Sequence, residues 1–320
     1  MAETVVPQKI TEHIEEAIAK GENINPKKAI YCLNYARPRP PSFEYLEQVD
    51  TDKYEIIILK NSNKVHEIKL KVPHKIIYID YSDPVIQRHA DVKTTTCATI
   101  PRNFAYQRSK ALGQDYFIFD DDLIAIQLSG RALWKDGAGS ITCPKGTLNE
   151  ILDDCFPLLE IQPFFGLMQG GLIPPDGILR PDKNCQMNFI FIRPGQVRFR
   201  QVGDINEDKN GSVVASTVCP LLNDYYILTQ EPTVVKEGGL ESIYKTKGKI
   251  YKSFKCQIYM PTGSQLSFLG GAGTYRVHNV LFSPKFHRGY PSKPMYMKGL
   301  ERYKQRLVEA KGSEGSEELD

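Results

Sequence analysis

The hydrophobic residues in the N-terminal part of the chain form short continuous runs, and amphipathic helical patterns separate these runs. Such runs are typical of strands in a mostly parallel sheet that helices cover on both faces. A helix that begins near Thr99 and stops at Gly113 leads into the last of these runs. We therefore predict strands at Ile30–Leu33, Glu55–Leu59, Lys75–Asp80 and Tyr116–Phe119, and helices at Pro41–Val49 and Thr99–Leu112.

The C-terminal part of the chain contains more glycine and proline between its apolar runs. The spacing of Thr147 and Glu150 is that of a capping box, which predicts a helix from residue 148 to about residue 160 with Pro157 near its end. The polar, glycine-rich stretch Gly130–Gly146 predicts a loop. Further strands are predicted at Phe164–Met168, Asn188–Ile192 and Val197–Phe199.

These patterns predict one main domain with an additional segment at each end. Residues 1–25 contain an amphipathic helix, residues 26–312 form the domain, and residues 313–320 form a disordered acidic tail. The last part of the domain, from about residue 295 to residue 310, is predicted to be a basic helix.

Composition and charge exclude several classes of protein. No apolar run approaches the length of a membrane span, and the N-terminus has no signal-peptide pattern, so we expect no membrane association and a cytoplasmic location, which is the host cytoplasm for a viral protein. The seven cysteines never form a C-x-x-C pair, which argues against a disulfide framework or a zinc site. The net charge of +3 includes four acidic residues in the tail, so the body of the chain is mildly basic, which suits a polyanionic partner.

The candidate chemistry begins with three consecutive carboxylates, Asp120, Asp121 and Asp122, directly after the apolar run Tyr116–Phe119. Open α/β sheets bind ligands beyond the carboxyl ends of their strands. Adjacent carboxylates repel one another unless a cation lies among them, and Mg²⁺ and Mn²⁺ prefer oxygen ligands. In an extended conformation Asp120 and Asp122 point to one side and Asp121 to the other. The sequence thus predicts a divalent-metal site, and the alternative is an Asp-rich turn or helix cap in solvent.

The segment from Arg102-Asn103 to Asp122 resembles the nucleotide-sugar glycosyltransferases of the GT-A fold. That family has an Arg-Asn helix, a small residue near the position of Ala105, a glycine before the strand and an Asp-X-Asp motif after it. The resemblance implies a GT-A-like (Rossmann-like) α/β fold, with a mostly parallel central sheet flanked by helices. It divides the domain into a nucleotide-sugar-binding half, residues 26–125, and a β-rich acceptor-binding half, residues 126–312.

The same resemblance implies roles for these residues in a metal-dependent hexosyl or pentosyl transferase. Asp122 would be the direct ligand of Mn²⁺ or Mg²⁺, and Asp120 would hold the metal through water or contact the ribose. Arg102 and Asn103, together with Asp120 and Asp121, would bind the donor, for which a UDP-sugar is favoured. The alternatives are a surface salt bridge for Arg102 and backbone capping for Asn103.

Later residues complete the implied site. Glu207 and Asp208 lie where many inverting members carry the base that deprotonates the acceptor, and a solvated loop is the alternative. His278 and His287 are candidate third metal ligands, and a structural histidine is the alternative for each. His287 begins His-X-Gly-X-X-X-Lys-Pro, which is similar to the His-X-X-Gly-X-X-Lys-Pro element of some retaining members but has its glycine one position early.

A lysine-rich stretch and the only tryptophan are the candidate acceptor-binding residues. Residues 244–255 carry five lysines interleaved with aromatic residues, a composition that can bind phosphates and stack on bases, or that can simply form a solvated face. The chain resembles the phage, TET-associated and base-J-type DNA glycosyltransferases, which implies transfer to a hydroxymethylated pyrimidine that is flipped out of DNA. The acceptor-binding candidates are Trp134, Lys247, Lys249 and Lys252.

Three other hypotheses stay open at this stage. The acceptor is a polysaccharide or a protein; the acidic cluster belongs to a metal-dependent nucleotidyltransferase or phosphohydrolase; or the chain is a non-catalytic nucleic-acid-binding domain whose acidic residues cap a turn.

Overall fold

A computed structural model describes most of the N-terminal two thirds of the chain and isolated elements after it. The described ranges are 27–35, 37–93, 97–129, 140–160, 162–169 and 189–204, residue 19, the backbones of strands at 221–230, 264–269 and 274–280, and residues 301–302, 304–306 and 308–309, which are helical. The predicted N-terminal helix, apart from residue 19, and the tail at 313–320 lie outside these ranges.

The architecture is α/β. The strands are β1 (Lys28–Asn34), β2 (Tyr54–Asn61), β3 (Lys75–Ile79), β4 (Tyr116–Asp120), β5 (Leu123–Ser129), β6 (Ser140–Thr142), β7 (Phe164–Gln169), β8 (Ile190–Ile192), β9 (Leu221–Gln230), β10 (Ser264–Leu269) and β11 (Thr274–Val280). The helices are α1 (Phe43–Leu46), α2 (Pro84–Ala90), α3 (Thr99–Leu112) and α4 (Thr147–Cys155), and a 3-10 helix (Phe156–Glu160) follows α4.

Nine of the described strands form one mostly parallel sheet, in the order β3-β2-β1-β4-β8-β7-β9-β5-β6. The first four are mutually parallel, whereas β8 runs antiparallel to both of its neighbours. β5 is also antiparallel to its neighbours β9 and β6. β10 and β11 form a separate antiparallel pair. The order is compatible with a Rossmann-like arrangement, in which consecutive parallel strands are joined by crossover helices.

Alternation along the strands divides the core into two apolar layers, one on each face of the sheet. In β4, Phe117 and Phe119 pack with α1 and α4, while Tyr116 and Ile118 pack with α2 and α3. All four side chains are at most 1% exposed. Because both faces of the strand are buried, its sequence is apolar at consecutive positions.

The four predicted N-terminal strands and the helices at Thr99–Leu112 and within Pro41–Val49 are confirmed. Gly113 ends α3 in the left-handed conformation, with φ of 62°, where a residue without Cβ is favoured. The helix predicted from residue 148 is also confirmed, and it tightens to a 3-10 turn at Phe156-Pro157.

Two predictions about the later segments are wrong. Residues 197–199 do not form a strand, because the backbone there accepts a hydrogen bond from the side chain of Tyr106 instead of pairing with a neighbouring strand. The stretch 130–146 is not entirely a loop, since Ser140–Thr142 pairs with β5; residues 130–139 lie outside the described ranges.

Helical residues near the C-terminus attach to α4 by ion pairs. Arg302 contacts Asp154 with 2.5 Å between Nη1 and Oδ2, and Arg306 contacts Glu150 with 3.2 Å between Nη2 and Oε1. The predicted basic helix is therefore helical where it is described, and its arginines neutralise the acidic side of α4. Among the helices the structure describes, none combines the length and the apolar composition that crossing a bilayer requires.

Candidate functional site

The acidic residues lie where the strand order changes direction. From β1 the chain adds β2 and β3 on one side, and β4 then pairs with the other side of β1. The carboxyl ends of β1 and β4 therefore border the crevice at which open α/β sheets bind ligands. Asn34 ends β1 and Asp120 ends β4, so both are at this crevice.

Asp120 is held by a buried arginine from α3. Its Oδ1 is 2.8 Å from Nη2 of Arg102, whose side chain is 1% exposed, whereas the side chain of Asp120 is 26% exposed. Asp120 falls on the α3 face because it continues the alternation of Tyr116 and Ile118. The ion pair fixes one carboxylate oxygen, and Oδ2 accepts no hydrogen bond from any residue in the described ranges.

Asp121 faces the opposite side of the sheet, toward β1 and α1. Its Oδ2 accepts a hydrogen bond of 2.9 Å from Nδ2 of Asn34, and its backbone carbonyl accepts one of 2.9 Å from Ser42. Burial raises the pKa of Asp121 to about 7, and the neighbouring carboxylates of Asp122 and Asp120 add to this rise, although the positive charge of Arg37 opposes it. These contacts are those of a residue that orders the turn.

Lys60, at the end of β2, is a buried amine next to this turn. The residue is fully buried, and Nζ lies 3.4 Å from Oδ1 of Asn34 and 2.7 Å from Nε2 of His66. Burial lowers the pKa of Lys60 to about 8, and the negative charge of Asp121 limits that decrease. The pKa of His66 is also lowered, first by burial and then by the charge of Lys60. His66 therefore accepts a hydrogen bond as a neutral ring.

The side chain of Asn103 binds the backbone of the segment 197–204. Asn103 donates to the carbonyl of Gln201 and accepts from its N–H, both at 2.8 Å. Thr99 donates to the carbonyl of Gly203, and Asp204 accepts from the N–H of Lys93 at 3.0 Å. These bonds attach residues 197–204 to α2 and α3, as the backbone-capping alternative for Asn103 proposed.

The side chain of Gln201 is buried without compensation by the described residues. It is 0% exposed, and neither Oε1 nor Nε2 has a hydrogen-bond partner among them. Leaving an amide unsatisfied in this way destabilises the folded state.

The structure brings together only some of the predicted site residues. Asp120, Asp121, Asp122, Arg102 and Asn103 lie at the carboxyl ends of the strands or in the first turns of α3. His278 lies in β11 opposite Gln265, and only its backbone is described. The other candidates, Glu207, Asp208, His287, Trp134, Lys247, Lys249 and Lys252, lie outside the described ranges.

Sequence reasoning missed Asn34 and Lys60. Asn34 ends β1 as Asp120 ends β4, Lys60 is the penultimate residue of β2, and the register places Asn34 beside Lys60. A polar residue at the end of each of three neighbouring strands was a readable signal. Within the described ranges, no group of three or more histidine, cysteine, aspartate or glutamate side chains is arranged to hold a metal by itself.

Comparisons with known proteins give no relative. No protein-family model, no curated protein and no solved structure matches this chain.

Proposed function

We propose that this protein is a metal-dependent glycosyltransferase that moves a sugar from a nucleotide-diphosphate sugar to a hydroxyl acceptor. The observation that carries the proposal is the position of Asp120, Asp121 and Asp122 at the carboxyl end of β4, beside the switch in strand order. The order of the strands is compatible with a nucleotide-binding sheet, and a GT-A-like arrangement is the specific form that we propose.

The carboxylate oxygens of this turn suit a hard divalent cation as ligands. Asp120 offers Oδ2, because Arg102 occupies only its other oxygen, and the half-buried Asp122 is the second carboxylate of the pair. Mg²⁺ and Mn²⁺ bind through one or two carboxylates together with substrate phosphates. Such a metal supplies charge neutralisation to the departing nucleoside diphosphate.

The structure changes the roles that we propose for α3. Arg102 is buried against Asp120, so it orients this carboxylate and does not itself contact the donor. Asn103 holds the loop that contains Gln201, which leaves its amide committed to the protein backbone. The base (Glu207 or Asp208) and the additional metal ligands (His278 or His287) stay predictions.

The acceptor that we propose is a hydroxymethylated pyrimidine in DNA, bound with the help of Trp134, Lys247, Lys249 and Lys252. Its support is the sequence resemblance and the lysine-rich composition of residues 244–255. A polysaccharide or protein acceptor is the alternative outcome of the experiment below.

The test is a panel of nucleotide sugars incubated with the protein and Mn²⁺, with products identified by mass spectrometry. A transferase slowly releases the nucleoside diphosphate from one donor even without acceptor, whereas a nucleotidyltransferase or phosphohydrolase releases the monophosphate or inorganic phosphate. Addition of hydroxymethylated DNA, followed by digestion and weighing of the nucleosides, identifies the acceptor. If no nucleotide sugar is cleaved and none stabilises the protein against unfolding, the proposal is wrong.

Asp122→Asn is the decisive variant of that test. It removes the negative charge without changing the size of the side chain, and we expect loss of Mn²⁺-dependent donor cleavage with an unchanged fold. The matched control is Asp52→Asn, because Asp52 is an exposed aspartate in the turn before β2, at the opposite edge of the sheet. Full activity in Asp122→Asn excludes this carboxylate as a metal ligand.

A further inference from the structure

We propose that Lys60 is a positioning residue for the acidic turn Asp120–Asp122, and that it acts through the side chain of Asn34. The inference rests on the proposed function, because it assigns to Lys60 the task of holding the proposed metal-binding carboxylates in place. The hydrogen-bond partners of Lys60 among the described residues are Asn34 and His66, not the carboxylates.

The side-chain amide of Asn34 links the two charged groups. Its Nδ2 donates to Oδ2 of Asp121 at 2.9 Å and to the carbonyl of Arg37 at 2.8 Å, and its Oδ1 faces Nζ of Lys60 at 3.4 Å. An ammonium group can only donate, and an ionised carboxylate can only accept. Lys60 and the carbonyl of Arg37, which can only accept, therefore select the same orientation of the Asn34 amide, with oxygen toward the amine, and the ionised form of Asp121 accepts from the same Nδ2.

The strand register fixes the relative positions of Asn34, Lys60 and the start of the acidic turn. Asn34 is the register partner of Lys60, and Leu33 is the register partner of Asp120. Asn34 is 2% exposed and Lys60 is fully buried, so water does not replace either side chain. The turn that carries Asp121 is consequently connected to β2 through one side chain of β1.

His66 fixes the amine from its other side. Nζ of Lys60 lies 2.7 Å from Nε2 and 3.0 Å from Nδ1 of His66, and Nδ1 lies 3.1 Å from the carbonyl of Lys64. In the neutral ring Nδ1 donates to that carbonyl, and Nε2 is the nitrogen that accepts from Lys60. The ring is only partly exposed and covers the amine from the β2–β3 connection. Lys60 thus has an acceptor on each side, and its position is determined by both.

The burial of Lys60 is unfavourable for folding, which separates it from an ordinary packing residue. A methionine has similar length and volume and carries no charge to desolvate. Strongly perturbed amines in a crevice of this kind are candidates for functional groups. The negative charge of Asp121, in the neighbouring acidic turn, favours the charged form of Lys60.

The test compares Lys60→Met with the wild-type protein in Mn²⁺-dependent donor cleavage. Groups that support metal-binding side chains typically change metal affinity by roughly 10- to 100-fold when they are removed. We expect Lys60→Met to raise the Mn²⁺ concentration for half-maximal activity by such a factor, with kcat at saturating Mn²⁺ nearly retained. Lys69→Met is the control, because Lys69 is an exposed lysine of the same β2–β3 connection, and we expect no change there.

A double-mutant cycle with Asn34→Ala tests whether Lys60 acts through Asn34. If it does, the double variant needs no more Mn²⁺ than Asn34→Ala alone, because the link is already broken. If the two effects multiply, or if Lys60→Met lowers kcat and leaves the Mn²⁺ requirement unchanged, the inference is wrong. Lys60→Gln, which removes the charge and shortens the side chain, replaces Lys60→Met if that variant does not fold, and we expect a change in the same direction.

Hydrogen exchange separates failure of this inference from failure of the proposed function. In Lys60→Met we expect faster amide exchange in peptides that contain Ser42 and Asp120–Asp122, and unchanged exchange in α4. Wild-type protein that cleaves no donor refutes the proposed function but leaves this measurement valid. Unchanged exchange at the acidic turn then overturns the positioning role, and faster exchange confined to it supports that role.

Discussion

Replacing Lys60 by methionine tests the energetic consequence of burying this amine. Burial lowers its pKa from the ordinary value of 10.5 to about 8 in the folded protein. The unfolded chain therefore binds more protons than the folded protein between pH 8 and pH 10.5, and linkage requires wild-type stability to rise with pH across this window. Below pH 8 the folded protein carries the full cost of a buried ammonium.

The size of the effect follows from the shift. A difference of one pKa unit is worth about 1.4 kcal/mol, so the free energy of unfolding of wild type is expected to gain about 3 kcal/mol between pH 7 and pH 10.5 relative to Lys60→Met. Lost contacts with Asn34 and His66 change the stability of the variant by an amount that does not depend on pH in this window. These pH-independent contributions do not affect how the difference in unfolding free energy between wild type and Lys60→Met changes with pH.

The assay is urea unfolding of both proteins at several pH values under reducing conditions, because the cysteines at positions 32, 97, 143 and 155 are free. Lys69→Met serves as the control, since its exposed amine leaves the curve parallel to wild type. Parallel curves for wild type and Lys60→Met would refute the reasoning, because they would mean that the buried amine has an ordinary pKa.

Three further predictions concern single side chains. Asp120→Asn removes the carboxylate that lies 2.8 Å from the buried Arg102 and is expected to lower the free energy of unfolding by about 3 kcal/mol, more than Asp122→Asn, in urea titrations at pH 7. For Asp121 the folded pKa of about 7 lies above the ordinary 3.8, so its contribution to stability is lost as pH rises from 4 to 7; without divalent metal, Asp121→Asn should gain about 3 kcal/mol over wild type across that range, and equal slopes would contradict it. Gln201→Met removes a buried amide that no described residue satisfies, and is expected to raise the midpoint of thermal unfolding, equivalent to about 1 kcal/mol, whereas a lower midpoint would show that the amide is satisfied.

The parallel half of the sheet was predictable because three of its strands, β1, β2 and β4, are buried on both faces. In β4 the run from Tyr116 to Phe119 is apolar at every position, which only a central strand requires. The face of Asp120 followed from the same alternation, which places it with Tyr116 and Ile118. The sequence also carries two start signals for α2, namely Asp83 as its N-cap and Pro84 in its first turn.

The parts of the fold and of the site that the sequence did not predict depend on contacts between residues far apart in the chain. Val197 and Phe199 are buried and Arg198 is exposed, as they would be in a strand. The carbonyl of Val197 nevertheless accepts from Tyr106 of α3 instead of pairing with a strand. Local alternation carries no information about which group satisfies the backbone. For the same reason, the insertion of antiparallel β8 beside β4 and the pairing of Arg102 with Asp120 could not be read from the sequence.

The shortness of the acidic turn has a geometric consequence for the whole sheet. Only Asp121 and Asp122 separate β4 from β5, although β8, β7 and β9 lie between them in strand order. Four strand spacings measure about 19 Å in a flat sheet, whereas three peptide units reach about 11 Å. The sheet must therefore curl so that β5 returns beneath α1, where Tyr45 donates to the carbonyl of Ile124 and accepts from the N–H of Ile126. The two carboxylates form the tether that closes this curve, and their spacing is set by both halves of the sheet at once.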